Sequence, residues 1–163
     1  MVAMTIQADV IQTLADRLAI IEATTRMAWH ADRREWDQLE DVLADEVLLD
    51  YSSLNGGEPA RLPRAQIIGS WTSVLGALDA TQHLVSNHLV AIDGDTAVCT
   101  AAFQATHVRC NPHGGPVWTL GGHYRFELAR AAVGGWRITG VEMIADWASG
   151  NQRIMTLAAE GRS

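Results

Sequence analysis

The sequence predicts an α+β domain in which a curved antiparallel sheet wraps around helices that precede it. Three observations carry this reading. Apolar residues follow a helical period through the first third of the chain. After residue 80 the pattern changes to two-residue alternation in long runs. Gly-containing turns, not helices, separate those runs.

Residues 8–31 read as one long helix. Leu14, Leu18, Ile21, Thr25, Ala28 and Asp32 recur at alternating steps of four and three, which places them on one face. That face is mostly apolar until its last member, a carboxylate. A second helix is expected over 35–43, with Trp36, Leu39 and Leu43 inward, and a short strand over 47–52. Asn55-Gly56-Gly57 signals a turn, with Pro59 and Pro63 breaking structure beyond it. Pro63 suits the start, and Gly76 the end, of a third helix over 64–76. Long strands follow over 82–92, 96–110, 116–130 and 135–147. Asp93-Gly94-Asp95, residues 111–115 and Val133-Gly134-Gly135 supply their turns. On the second of these strands Ala97, Cys99, Ala101, Phe103, Ala105 and His107 share one face; Thr96, Thr100, Gln104 and Thr106 take the other. Packing such a sheet on helices leaves a pocket between them.

The chain has 163 residues, 48% hydrophobic and 19% charged. This fits a single globular domain spanning 1–163, with its core over about 8–150 and a tail or short helix over 150–163. The formal charge is −7, which argues against nucleic acid as a partner. Every basic residue is arginine, so Schiff-base, pyridoxal-phosphate and P-loop chemistry are excluded for want of a lysine. Cys99 and Cys110 match no redox or zinc spacing and read as buried free thiols. No apolar run of about 18 residues marks a membrane span, and the first residues lack a signal-peptide pattern. A cytoplasmic protein without a membrane partner is therefore expected. Val85 and Val141 read as outer-face residues of the sheet, which predicts a homo-oligomer.

Asp32 is the first candidate for chemistry, because a carboxylate at the core-facing end of an apolar stripe is costly unless paired. His83 and His107 come next, as imidazoles give and take protons near neutrality. An acid–imidazole pair is a common proton-abstracting base, and Tyr51 would add a phenolic donor for a substrate oxygen. Trp29, Trp71 and Trp147 are candidates to line an aromatic-substrate pocket, while most of the six tryptophans are expected in the core. His30 lies opposite Asp32 on its helix, His113 falls in a Pro/Gly turn, and His123 has the less apolar parity. His88 has parity opposite to His83, so both face the pocket only if a bulge intervenes. No metal-ligand motif, dinucleotide fingerprint or nucleophile elbow is present, and neither a metal nor a cofactor is expected.

The segments 31–39 (Ala-Asp-Arg-Arg-Glu-Trp-Asp-Gln-Leu), Asp50-Tyr51-Ser52-Ser53, Thr81-Gln82-His83, Ala105-Thr106-His107 and Gly135-Trp136-Arg137-Ile138 resemble the SnoaL-like branch of the nuclear-transport-factor-two-like superfamily. The resemblance extends over about residues 10–150, and by motif it is to the scytalone dehydratases. It implies a cone-shaped, cystatin-like α+β barrel with a deep pocket and a lyase without cofactor. Asp32 matches the helix-end aspartate, Tyr51 a tyrosine that holds the substrate carbonyl through water, and His83 and His107 the two pocket histidines. Hexachlorocyclohexane dehydrochlorinase and bile-acid dehydratases look similar at the aspartate and at His83. The resemblance also implies a trimer, where general frequency favours a dimer. Ala31 stands where the scytalone dehydratases have a second tyrosine. Arg125 and Glu127 replace a serine and an asparagine of the penultimate long strand, which puts Arg125 among the expected substrate contacts.

The expected function is an elimination on a small cyclic or aromatic, mainly apolar substrate. In it His83 abstracts a proton, Asp32 orients His83, Tyr51 steadies the developing oxyanion, and His107 assists as proton donor or as a second partner of Asp32. A ketone isomerase or polyketide-type cyclase with the same pocket is one alternative. A non-catalytic binding or assembly module is the other.

Overall fold

The computed structural model describes residues 2–112 and 114–159. Helix α1 spans Val2–Arg33, and a short 3-10 helix follows at Trp36–Asp41. Strand β1 is Leu43–Asp50, α2 is Ser52–Asn55, β2 is Ala60–Pro63 and α3 is Arg64–Leu75. The long strands are β3 (Ala80–Asp93), β4 (Thr96–Val108), β5 (Val117–Arg130) and β6 (Trp136–Gly150). Helix α4, Arg153–Ala159, ends the described chain.

The six strands form one sheet in the order β2-β1-β6-β5-β4-β3. The β3–β4, β4–β5 and β5–β6 hairpins are antiparallel, as the alternation predicts. The β1–β6 pair is parallel, which corrects the expectation of a wholly antiparallel sheet. The early strand begins at Leu43, where a helix to residue 43 was expected, and it lies beyond the last strand. Short β2 then pairs antiparallel with it at the edge. The sheet does not close, so the barrel expectation reduces to a cone with β2 and β3 as its free edges. Register shifts between Ser86 and Leu89, Gly121 and Gly122, and Glu127 and Leu128 mark bulges, each of which bends the sheet further around α1.

The buried face of α1 is Ile20, Ala23, Thr24, Met27, Ala28 and Ala31. The expected stripe is therefore out of phase in its first half, with Leu14 56% and Leu18 68% exposed. The two stripes merge at Ala28 and Asp32, so the phase error leaves the carboxylate where the sequence put it. The core lies between this helix face and the concave side of β4, β5 and β6, with Phe126, Leu128, Ile138 and Val141 at its centre. Val141 is fully buried and Val85 partly so, so neither supports the oligomer expectation. The bulge before Val141 turns its side chain inward. Cys99 is buried, whereas Cys110 is exposed beyond the end of β4. Trp118 and Trp136 are the two buried tryptophans. No helix among the described residues is long and apolar enough to cross a membrane.

Candidate active site

Arg34 ends α1 in the left-handed region, at φ 59, and its guanidinium donates to the Leu78 carbonyl. Glu35 N–H donates to the His30 carbonyl at 2.9 Å, and the His30 ring pairs with the Glu35 carboxylate. His30 is thus a helix-end partner. These contacts pin the last turn of α1 against the start of β3, where Thr81 and His83 share the inward parity.

Asp32 bridges that junction. Its Oδ1 accepts from the Thr81 hydroxyl at 2.8 Å and lies 2.6 Å from His83 Nδ1. Its Oδ2 accepts from the His83 backbone N–H at 2.6 Å. Both side chains are largely buried, Asp32 17% and His83 14% exposed. Burial works against the charged carboxylate. The hydrogen bonds and the charge of the His83 ring outweigh it, together with the Thr81 hydroxyl, so Asp32 ionises below the usual carboxylate range. An ionised Asp32 accepts a hydrogen bond from an Nδ1–H, which leaves Nε2 of His83 as the ring's free acceptor. His83 lines a cavity of about 790 Å³ between α1, α3, α4 and the concave face of the sheet.

His107 lies in the cavity wall, edge-on to His83 with ring centroids 5.4 Å apart, and against Trp118 at 5.3 Å. It is 3% exposed, and its Nδ1 has no partner. Burial and the neighbouring His83 push its pKa down to about 4, so it is a neutral imidazole at pH 7. The expected direct pairing of His107 with Asp32 does not occur. Tyr51 lines the cavity at the end of β1, and burial raises its phenol above the ordinary value. Tyr124 lines it from β5, stacked between Phe103 and Phe126. Burial, then the charges of Tyr51 and Asp32, raise its phenol as well. Both are protonated donors at neutral pH.

Of the expected substrate contacts, only Trp71 lines the cavity. Trp29 faces solvent beneath Arg33, because Met27, Ala28 and Ala31 hold the inward face of α1. Arg125 lies on the convex side, paired with Glu127 at 2.7 Å; Tyr124 and Phe126 on either side of it point inward. Trp147 is 50% exposed and covers Gly121 on that same convex side. The extra residue at Asp146, opposite the Gly121–Gly122 step, reverses the parity of β6.

Asn87, at φ 56, forms a bulge in β3, and it turns His88 inward. His88 Nε2 is buried without a partner, and burial lowers its pKa, but His88 does not line the cavity. His123 pairs with Asp146 on the convex face. His113 lies outside the described residues. Among the described residues, no three His, Cys, Asp or Glu side chains converge as a metal site. Sequence reasoning missed Tyr124 as a site residue, although its inward parity with Trp118 and Leu120 was the available signal. It also missed the contribution of α4, whose Arg153 and Thr156 line the cavity together with Gln152 just before the helix.

A family model described as a SnoaL-like domain matches residues 12–142. An uncharacterized protein of Mycobacterium tuberculosis strain H37Rv is 35% identical over 85 residues, covering 52% of this chain and 55% of that protein. The match thus spans about half the length of these curated relatives. The Kfla4162 protein of Kribbella flavida superposes with a TM-score of 0.84 at 30% identity, over 88% of this chain and 99% of that one. A candidate aromatic ring hydroxylase from Novosphingobium aromaticivorans gives 0.75 at 28% identity, over 87% and 97%. A candidate scytalone dehydratase from the same bacterium shares the fold, with a TM-score of 0.73 at 18% identity over 86% and 90%.

Proposed function

The chain belongs to the SnoaL-like family, and on that premise we propose that it is a lyase. It eliminates water or a similar leaving group from a small cyclic, mainly apolar carbonyl compound. The observation that carries this reading is the double engagement of Asp32 with His83, through both Nδ1 and the backbone N–H, at the wall of a largely apolar cavity.

His83 Nε2 takes the proton α to the carbonyl, and Asp32 holds the Nδ1 proton and stabilises the imidazolium that forms. The C–H electron pair moves into an enolate, whose oxygen meets the phenol donors Tyr51 and Tyr124. The enolate then collapses to a C=C bond and expels hydroxide from the β-carbon. That oxygen leaves as water with the proton from His83, which returns the base to its starting state. Every proton in this cycle is carried by the chain's own groups or the substrate, so the proposed step needs no cofactor. His107, neutral and within the same wall, fixes the ring geometry and polarity around the leaving group.

The test is mass analysis of products from a panel of cyclic β-hydroxy ketones headed by 3-hydroxycyclohexanone. Loss of water that disappears in His83→Ala supports the reading. An isomer of unchanged mass would assign the same base to an isomerase or cyclase. Gain of an oxygen atom would point to chemistry of the kind for which the Novosphingobium hydroxylase is named. No turnover of any compound, with the cavity still binding them, would favour a binding module.

A further inference from the structure

We propose that Arg153 is an anion receptor at the cavity mouth, so that the substrate is an apolar ring system carrying one carboxylate. This deepens the reading above and rests on the same cavity.

Among the described residues, every arginine except Arg61 and Arg153 has a hydrogen-bond or ion-pair partner for its guanidinium. Arg61 lies on exposed edge strand β2. Arg153 alone of the two lines the cavity, and among the described residues no carboxylate shares the lining with it. Asp32, the partner of the lining residue His83, is already committed to Thr81 and His83.

The helix that carries Arg153 is held in place. Ile154 and Ala158 of α4 are fully buried. Asn151 fixes the entry to the helix, donating from Nδ2 to the Gly115 carbonyl at 2.9 Å and accepting the Arg153 N–H at 3.2 Å. The helical spacing of three places Arg153 and Thr156 on one side, and Gln152 joins them at the lining. The cavity is therefore chemically two-ended. Its walls carry Phe103, Leu120 and Met143 around the His83 ring, and its solvent side carries a guanidinium with amide and hydroxyl neighbours. A planar, five-donor fork without an acid partner matches a carboxylate in bidentate geometry. In a chain of net charge −7, a cation at an apolar cavity selects an anion against a generally repulsive field.

The experiment is calorimetric titration with 2-naphthoate and with its methyl ester, using wild type, Arg153→Gln, Arg153→Lys and His83→Ala. A charge-assisted pair at a partly desolvated mouth gives the acid about a tenfold advantage over the ester. Arg153→Gln should remove that advantage while leaving ester affinity unchanged. Arg153→Lys should keep part of it, since the charge remains and the fork is lost. His83→Ala should retain it in full. The proposal is overturned if wild type binds acid and ester equally, if it binds neither, or if Arg153→Gln keeps the preference. A preference that disappears in His83→Ala instead would move the anion site to the imidazole. If His83→Ala leaves turnover intact while the Arg153-dependent preference stands, the lyase reading fails and the receptor survives.

Discussion

Replacing Asp32 with asparagine separates geometry from charge at the site. Oδ1 of Asp32 accepts from Thr81 and from His83 Nδ1, and Oδ2 accepts from the His83 backbone N–H. An amide has one acceptor oxygen and one donor nitrogen. With its oxygen toward the ring, the amide nitrogen faces the His83 N–H, donor against donor. With its oxygen toward that N–H, the nitrogen donates to both Nδ1 and the Thr81 oxygen, and all groups are paired. The second arrangement wins, because an unpaired buried donor costs roughly 1–3 kcal/mol. It forces the His83 proton onto Nε2, the nitrogen that must accept one. Asp32→Asn should therefore fold with a stability loss of only about 1–2 kcal/mol, yet lose about 10⁴-fold in kcat, the scale of a wrong-tautomer defect in an Asp–His pair. The substrate-free assay is ¹⁵N NMR of the histidine rings. Wild type should show His83 protonated at Nδ1, and Asp32→Asn should show it protonated at Nε2. An unchanged tautomer in the variant would refute the argument. Because the folded Asp32 ionises below the usual range, its stabilising contribution is present above the carboxylate range and is lost as pH falls through it. That part of the acid sensitivity should vanish in Asp32→Asn.

His107 supplies a second pH dependence. An unfolded histidine binds its proton near 6.5, and the folded one only near 4, so its contribution to stability falls by about 3 kcal/mol as pH drops across that interval and is constant outside it. Urea unfolding of wild type against His107→Gln between pH 4 and 7 measures this, with a flatter profile expected for the variant. Tyr51→Phe and Tyr124→Phe should each lower kcat by about 10-fold or more with little change in KM, as groups that act mainly on developing charge do; a change confined to KM would make them binding contacts. Trp71→Ala should weaken binding of 2-naphthoate several-fold, whereas Trp147→Ala should leave it unchanged, since of these two only Trp71 lines the cavity. Ile20→Ala should cost roughly 2–5 kcal/mol as a core truncation, against less than about 0.5 kcal/mol for Leu18→Ala at its exposed site. Chemical denaturation distinguishes the two.

The long strands were legible because alternation in a half-buried strand is a local signal, and Ala97 to His107 kept it without interruption. The Asp32–His83 pair was legible for a related reason. Asp32 closes a helical stripe, and His83 stands two residues from Thr81 on one strand face, so both were placed by short-range geometry. What failed was whatever depends on a bulge or on a neighbour distant in sequence. Trp147 carries the inward parity of its strand up to Asp146, where one extra residue sends it to the convex face. His88 made the opposite journey at Asn87. Leu14 and Leu18 looked like core because α1 has apolar residues on more than one face, and only the sheet decides which face is covered. The parallel pairing of β1 with β6 joins residues some 90 positions apart, and no local pattern announces it. Tyr124 had the right parity but no neighbour in sequence to mark it as more than core.

The most direct test of His83 as the base is exchange of the activated α-hydrogens of 2-tetralone in D₂O, followed by ¹H NMR with and without protein. The account predicts that wild type accelerates exchange and that His83→Ala, folded by circular dichroism, returns it to the uncatalysed rate. Equal rates with the two proteins would contradict it, whatever else the cavity binds.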